Sequence, residues 1–170
     1  MPARAAPSLM AKALGWLAQR EHSSAQLKAR LQRWLADRPA AESSSAELER
    51  VLQTLQAQGY LSDERFVQSR VRLRSARFGN RRIEQELRQH GATLDAPTRQ
   101  HLRDSEFERA CQVWQQRFGR QPPTPPDARA QWARQQRFLC ARGFTAETIA
   151  RVMKHCGGHH REPASDADSG

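Results

Sequence analysis

Two segments of the chain combine arginines, helically spaced apolar residues and a final glycine. The first runs from Asn80 to Gly91 and reads NRRIEQELRQHG, and the second runs from Gln135 to Gly143 and reads QQRFLCARG. The two glycines lie about fifty residues apart, a spacing typical of stacked copies of one helical unit. The repetition therefore predicts a chain built from small helical modules rather than from one irregular core.

Apolar residues recur at helical spacing in nine segments, and no segment shows the two-residue alternation of a strand. The sequence therefore predicts an all-α fold of three tandem three-helix repeats, resembling helix-turn-helix pairs, in an elongated, curved arrangement. The predicted divisions are a flexible leader (1–8), repeat 1 (9–61), repeat 2 (62–104), repeat 3 (105–156) and a disordered tail (157–170). A serine-rich insert around Pro39 and a connector from Pro122 to Pro126 interrupt the first and third repeats.

Several residues have the chemistry that starts or stops a helix. Ser23 or Ser24 is a candidate N-cap for the second helix, and Thr145 is one for the last. Ser105 and Glu108 have the spacing of a capping box, which predicts that repeat 3 begins there. Gly79 is expected to adopt a positive φ between the fourth and fifth helices.

The charge of the chain is strongly positive. Twenty-eight lysines and arginines oppose eighteen acidic residues, which gives a net charge of +10, and only Lys12, Lys28 and Lys154 are lysines. Guanidinium groups suit bidentate contact with phosphates or carboxylates, so we expect a nucleic acid or an acidic protein surface as partner. Three cysteines without CxxC spacing indicate free thiols in a reducing cytoplasm, and neither a signal peptide nor a membrane span is recognisable.

The densest group of arginines falls between residues 63 and 90. Only four acidic residues lie among these eight arginines, too few to neutralise them. The spacing from Arg70 through Arg74 and Arg77 to Arg81 would place side chains on one helical face, at least until Gly79 turns the chain. We therefore predict that this segment contacts DNA phosphates or an acidic protein groove, although a solvated face with local glutamate pairing is the alternative. The predicted site comprises Arg65, Arg70, Arg72, Arg74, Arg77, Arg81, Arg82 and Arg88.

Other groups of residues give weaker evidence for a functional site. His155, Cys156, His159 and His160 lack a second Cys/His pair that would complete a tetrahedral metal site, so no metal is predicted. The four tryptophans, Trp16, Trp34, Trp114 and Trp132, belong to or border apolar stripes, which favours core packing over base stacking. No catalytic motif is present, and we predict neither an enzyme, a cofactor nor a small-molecule substrate.

Four segments together resemble the RecX regulatory family: Arg20–Ser23 with Ala25–Leu27, Gly59–Phe66, Gly79–Gly91 and Arg137–Ile149. The resemblance covers about residues 9 to 156. It implies a bent protein of three three-helix repeats that modulates the RecA recombinase in DNA repair, homologous recombination and the SOS response. Members of that family are understood to bind along the groove of the RecA filament on single-stranded DNA, to limit its ATPase, strand-exchange and coprotease activities, and often to bind DNA themselves.

The resemblance brings no catalytic residues, so the predicted site rests on the arginines alone. It implies the RecA filament and single-stranded DNA as partners, with double-stranded DNA a further candidate, and a cytoplasmic location without a membrane partner. Two alternatives stay open on the residues themselves. One is a transcription regulator that reads duplex DNA through helix-turn-helix pairs, and the other is a basic helical adaptor for an acidic protein.

Overall fold

A computed structural model of the chain describes residues 7–37, 45–119 and 128–156, and every regular element in these ranges is an α-helix. The prediction of an all-α fold is confirmed for these residues. The serine-rich insert, most of the proline connector and the predicted tail lie outside them. The helices are α1 (Leu9–Leu17), α2 (Ser24–Ala36), α3 (Ser45–Ala57), α4 (Asp63–Ser75), α5 (Asn80–Gln89), α6 (Ala96–Phe118), α7 (Ala128–Ala141) and α8 (Ala146–Cys156).

The described residues form two compact units. Unit 1 takes its residues from Met1–Leu73 and Gln85–Leu94, and unit 2 takes its residues from Arg74–Glu84 and Asp95–Gly170. The chain therefore passes from one unit to the other three times: within α4, within α5, and between Leu94 and Asp95. The predicted repeat boundaries at 61/62 and 104/105 stay a prediction. None of the described helices is both long enough and apolar enough to span a lipid bilayer.

Unit 1 has a leucine-rich core. The second helix begins as predicted, because the hydroxyl of Ser23 accepts a hydrogen bond from Gln26 N at 3.1 Å and the Gln26 side chain accepts one from Ser23 N. This capping box fixes the entry to α2 and so the direction of its apolar face. Each buried leucine contributes roughly 1.5–3 kcal/mol of burial free energy. The core residues are Leu9, Ala13, Leu27, Leu31, Leu48, Leu52, Leu55 and Leu61.

Unit 2 packs α6, α7 and α8 around a second core. Trp114 lies in it and donates its indole N–H to Gln135 Oε1 at 3.1 Å, which satisfies the polar end of the ring. The prediction of core packing is wrong for Trp132, whose surface is 44% exposed. Trp132 lies two turns before Leu139 on α7, outside the buried cluster. The core residues are Ala110, Val113, Trp114, Phe118, Leu139, Phe144, Ile149, Val152 and Met153.

Helix α6 is longer than the sequence suggests, and it corrects the predicted helix count. Two of the nine predicted helices are one continuous helix, so the described residues contain eight. Asp95 caps α6 by accepting from Thr98 N at 2.9 Å. Ser105, predicted to start a new helix, lies inside α6, and its hydroxyl donates back to His101 O at 2.8 Å. The capping-box spacing misleads because buried Leu102, Glu106 and Ala110 form an unbroken inner face.

The three cysteines are free thiols. Cys111 on α6 and Cys156 at the end of α8 place their sulfur atoms 3.6 Å apart, and Cys140 is exposed. Burial, together with the hydrogen bond to Cys156, raises the pKa of the Cys111 thiol to about 12. Because the thiolate is the reactive form, Cys111 is a weak nucleophile at neutral pH.

His22 in unit 1 makes stability depend on pH. Burial, followed by the charges of Arg20, Arg30 and Arg70, lowers its pKa in the folded chain below the ordinary value of 6.5. The unfolded chain therefore binds the proton more tightly, and the contribution of His22 to stability is lost as pH falls from above 6.5 through the folded pKa. We expect the free energy of unfolding, measured with urea between pH 7.5 and 5, to fall more steeply in the wild type than in His22→Gln. Equal slopes would contradict this.

Candidate functional site

The predicted arginines of unit 1 divide into engaged and free side chains. Arg65 contacts Glu21 Oε1 at 3.0 Å and donates to Tyr60 O at 3.1 Å. Arg70 contacts Glu86 Oε1 at 3.2 Å and lies 5.4 Å from the centre of the Phe66 ring. Glu21 lies outside the segment that was counted for neutralising charges. Arg65 and Arg70 are therefore partly neutralised within unit 1.

Arg72 and Arg88, like Arg65, are exposed arginines of this group in unit 1. Among the residues that the structure describes, no carboxylate lies within 4 Å of either guanidinium group. They add positive charge to the surface of unit 1, and within the described ranges neither has a stacking or hydrogen-bonding partner for its side chain.

The expectation that the arginines share one helical face up to Gly79 is wrong for Arg77. Helix α4 ends at Ser75, so that Arg77 lies in the following turn and Arg81 lies in α5. Two carbonyls at and after the end of the helix have a side-chain donor. Arg109 on α6 donates to Ser75 O at 3.0 Å and to Phe78 O at 2.9 Å, which satisfies groups that another turn of helix would have used.

In unit 2, three arginines surround one aromatic ring. The guanidinium carbons of Arg74, Arg82 and Arg142 lie 5.3, 5.1 and 6.0 Å from the centre of the Phe78 ring. Arg142 also lies 4.5 Å from the ring of Phe138. These distances are within the range of a cation–π interaction, which favours a cation over the face of the ring. Phe78, Arg74, Arg82 and Arg142 are called the Phe78 cluster below.

Two backbone hydrogen bonds hold the two turns of this cluster together. Gly79 N donates to Arg142 O at 2.9 Å, and Arg81 N donates to Gly143 O at 3.1 Å. The predicted positive φ at Gly79 is wrong, since positive values are found at Gly59, Gly91 and Gly143. Gly79 is required for a different reason: a Cβ there would lie 2.3 Å from Phe144 Cα and N. The close approach brings Arg142 to Phe78.

A buried network of polar side chains, called the Glu106 network, lies next to the cluster. Glu106 is almost fully buried, and its Oε1 accepts from Asn80 N at 2.8 Å. The hydroxyls of Thr145 and Thr148 lie 2.6 and 2.7 Å from its Oε2. Thus one carboxylate links the start of α5 to the start of α8. Thr145 also caps α8, as predicted, by accepting from Thr148 N at 3.3 Å.

Arg109 completes the Glu106 network. Besides its two carbonyl contacts on the turn after α4, it donates to Asn80 Oδ1 at 2.6 Å and to Leu102 O at 3.0 Å. Burial lowers the pKa of Arg109, and the negative charge of Glu106 opposes that effect. Arg109 remains charged at neutral pH, because the ordinary pKa of arginine is far above 7. Its charge is used inside unit 2 and is not available to a partner.

The Phe78 cluster and the neighbouring residues Arg77 and Arg81 concentrate positive charge. Among the described residues, no carboxylate lies within 4 Å of the guanidinium groups of Arg77, Arg81, Arg82 or Arg142. Arg142 is further restrained because it donates to Arg77 O at 3.2 Å. Like charges that are held close together repel one another, and a polyanion relieves that repulsion. The arrangement can bind phosphates or carboxylates through several charge-assisted hydrogen bonds.

Sequence reasoning missed Arg142, Phe78, Glu106 and Arg109. Arg142 precedes the glycine of the second repeated segment, so its position relative to that glycine was a usable signal. Glu106 and Arg109 gave no such signal, because charged residues three positions apart on a helix are usually solvated pairs. For the metal question, no group of three or more potential ligands occurs among the described residues, and His159 and His160 lie outside them.

Comparisons with known proteins agree on one family. Residues 62–92 match a family model for the second three-helix domain of RecX, and residues 104–153 match one for the third. The regulatory protein RecX of Leptothrix cholodnii is 44% identical over 155 residues, covering 90% of this chain and 92% of that protein. The regulatory protein RecX of Ralstonia nicotianae is 41% identical over 149 residues, covering 86% and 87%.

Solved structures show the same fold at low identity. A crystal structure of RecX from Lactobacillus salivarius superposes with a TM-score of 0.65 at 13% identity and covers 88% of this chain and 94% of that one. A second crystal structure, of a regulatory protein RecX, gives a TM-score of 0.61 at 19% identity, covering 86% and 73%.

Proposed function

The chain belongs to the RecX regulatory family, and we propose that it binds the RecA filament on single-stranded DNA and inhibits it. The inhibited activities are ATP hydrolysis, strand exchange and the coprotease activity, and the protein acts in the cytoplasm. The observation that carries the proposal is the Phe78 cluster, where cations from α4, from α5 and from the turn after α7 surround one ring, and backbone hydrogen bonds hold Arg142 in place. A surface of this kind suits an acidic nucleoprotein.

The proposed mechanism is steric and electrostatic. The cluster contacts phosphates or acidic side chains in the filament groove, and the helical body then blocks access of other DNA and of protein substrates. Arg77, Arg81, Arg72 and Arg88 add long-range attraction, which speeds association and makes it sensitive to salt. Arg65 and Arg70 have a smaller part, since Glu21 and Glu86 already engage them.

A non-catalytic role agrees with the name of the relatives, which are called regulatory proteins. The residues of the site support it as well. Arginine at neutral pH has no proton to give or take in general acid–base catalysis. The buried carboxylate of Glu106 is occupied by three donors from the chain itself. We propose that this carboxylate positions the cluster.

The proposed function is tested by titrating the protein into RecA filaments on single-stranded DNA and measuring ATP hydrolysis. We expect the rate to fall at substoichiometric to equimolar amounts of the protein and the inhibition to weaken as salt rises from 50 to 200 mM, roughly as counterion release requires. Hydrolysis that is unchanged at saturating protein would refute it.

A duplex-binding measurement separates this function from the two alternatives. A transcription regulator should prefer one duplex sequence by a factor of about a thousand or more at fixed salt. A filament modulator should show little sequence preference and should require RecA. An adaptor for an acidic protein should retain no DNA, and its binding to a purified acidic partner should resist salt.

A further inference from the structure

Unit 1 contains a polar cleft that the proposed function does not use. It lies beside α2 and the end of α5 and has a volume of about 330 Å³, at the lower end of the range for small-ligand pockets. Three of its lining residues, Arg20, Arg30 and Arg33, are arginines, and none of the described residues that line it carries a carboxylate. A concave site with this composition favours a small anion over any neutral ligand.

Two of these arginines are held in place by the chain. Arg30 lies 4.1 Å from the centre of the Trp16 ring, and Arg33 Nε lies 3.4 Å from Ala29 O, one turn earlier on α2. The wall opposite is fixed as well, because the hydroxyl of Ser23 donates to the carbonyl of His90, another lining residue. Groups held in this way lose little conformational entropy when a ligand binds.

His22 adds an independent sign of a ligand. Its side chain lines the cleft and is only 2% exposed, yet its Nε2 has no hydrogen-bond partner among the described residues. Buried polar atoms of side chains are normally paired, and leaving one unpaired costs about 1–3 kcal/mol. A ligand oxygen would supply the missing partner. Burial and the charges of Arg20, Arg30 and Arg70 lower the pKa of His22, whereas Glu21 raises it, so a bound anion would reverse the largest electrostatic effects.

We propose that this cleft binds a phosphate group, with Arg20, Arg30 and Arg33 neutralising its charge and His22 donating a hydrogen bond to one of its oxygens. Tetrahedral phosphate oxygens accept bonds from several directions, which suits guanidinium groups arranged around a concave wall. The group can come from a free phosphate or nucleotide, or from the backbone of a DNA strand. The site is separate from the Phe78 cluster, whose residues belong to unit 2.

The test uses the full-length protein without RecA and follows the ring protons of His22 by NMR, with the signal assigned from its loss in His22→Gln. Sodium phosphate is titrated at constant ionic strength, with chloride as the balancing anion. We expect a saturable shift of the His22 signal and a rise in its pKa, while exposed His101 stays unchanged. The double variant Arg30→Gln/Arg33→Gln should weaken phosphate binding at least tenfold.

The matched control is Arg50→Gln/Arg103→Gln, which also removes two charges but from exposed positions on α3 and α6. It should bind phosphate within about twofold of the wild type, and circular dichroism should show both double variants folded. Two further probes identify the source: adenosine monophosphate carries a free phosphate monoester, and an oligonucleotide with hydroxyl ends carries only diesters. Binding of any probe that depends on Arg30 and Arg33 supports the site. A His22 signal that responds to none of the three, or equal losses in both double variants, would overturn it.

Discussion

Replacing Glu106 with alanine should lower the free energy of unfolding by about 3–5 kcal/mol, because three donors lose their acceptor at a buried position, at about 1–3 kcal/mol each. The substitution removes the acceptor for Asn80 N and for the hydroxyls of Thr145 and Thr148. It also removes the negative charge that favours the buried guanidinium of Arg109. Urea denaturation followed by circular dichroism measures the change.

Two companion variants make this result specific. Glu106→Gln keeps an acceptor oxygen but not the charge, so we expect a loss between those of the wild type and the alanine variant. Glu108→Ala changes an exposed glutamate on the same helix and should stay within about 0.5 kcal/mol of the wild type. If Glu106→Ala were no more destabilising than Glu108→Ala, the Glu106 network would not hold the cluster together.

Replacing Gly79 with alanine should cost roughly 3–5 kcal/mol, from overpacking of about 1–3 kcal/mol and the loss of two backbone hydrogen bonds of about 1 kcal/mol each. The new Cβ would lie 2.3 Å from backbone atoms of Phe144, which cannot move aside as a side-chain end can. The turn must therefore separate from Arg142 and Gly143, and Arg142 should lose its position over Phe78. Thermal unfolding and urea titration both measure the loss.

Gly15 on α1 supplies the control. A Cβ at Gly15 would meet nothing within 4 Å, and the residue lies inside a helix. Gly15→Ala should therefore stabilise the protein by about 0.5–1 kcal/mol, the usual advantage of alanine over glycine in a helix. Opposite signs for the two glycine substitutions would support the packing argument at Gly79. A neutral Gly79→Ala variant would contradict it.

Local signals in the sequence predicted much of the fold. Glycine at positions 59, 91 and 143 follows the end of a helix in the left-handed region, with φ of +74°, +68° and +79°. Ser23 and Thr145 are caps, as their chemistry indicated. These features depend on residues close in sequence, so that one segment contains all the information needed.

The sequence-based predictions fail where contacts with residues distant in the sequence determine the local structure. Ser105 has the chemistry of a cap, but the core of unit 2 needs a continuous face on α6 and keeps the helix intact. Gly79 is a glycine because residues sixty-five positions later pack against it, which no local pattern reveals. The spacing of Arg74 and Arg77 is helical, but α4 ends between these two residues, at Ser75. The guanidinium group of Arg109 donates to the carbonyls of Ser75 and Phe78 there.

In the candidate site too, the features that depend on neighbouring residues could be predicted, and those that depend on distant residues could not. The sequence showed the clustered arginines as an imbalance of charge. Two of them, Arg74 and Arg82, do lie beside the same ring, that of Phe78. Arg142 could be recognised only by its place before Gly143, and its role required the tertiary contact of two turns. Conversely, Arg65 was counted as unneutralised because its partner Glu21 lies far away in the sequence.

The central claim is that the Phe78 cluster binds the RecA filament. Its most direct test compares a cluster variant, Arg82→Gln/Arg142→Gln, with a control variant that loses the same charge elsewhere, Arg50→Gln/Arg103→Gln. The measurement is the concentration that halves RecA ATP hydrolysis on single-stranded DNA. The cluster variant should need at least about tenfold more protein, which corresponds to about 1.4 kcal/mol, and the control should stay within about twofold. Equal potency of the two variants would contradict the claim.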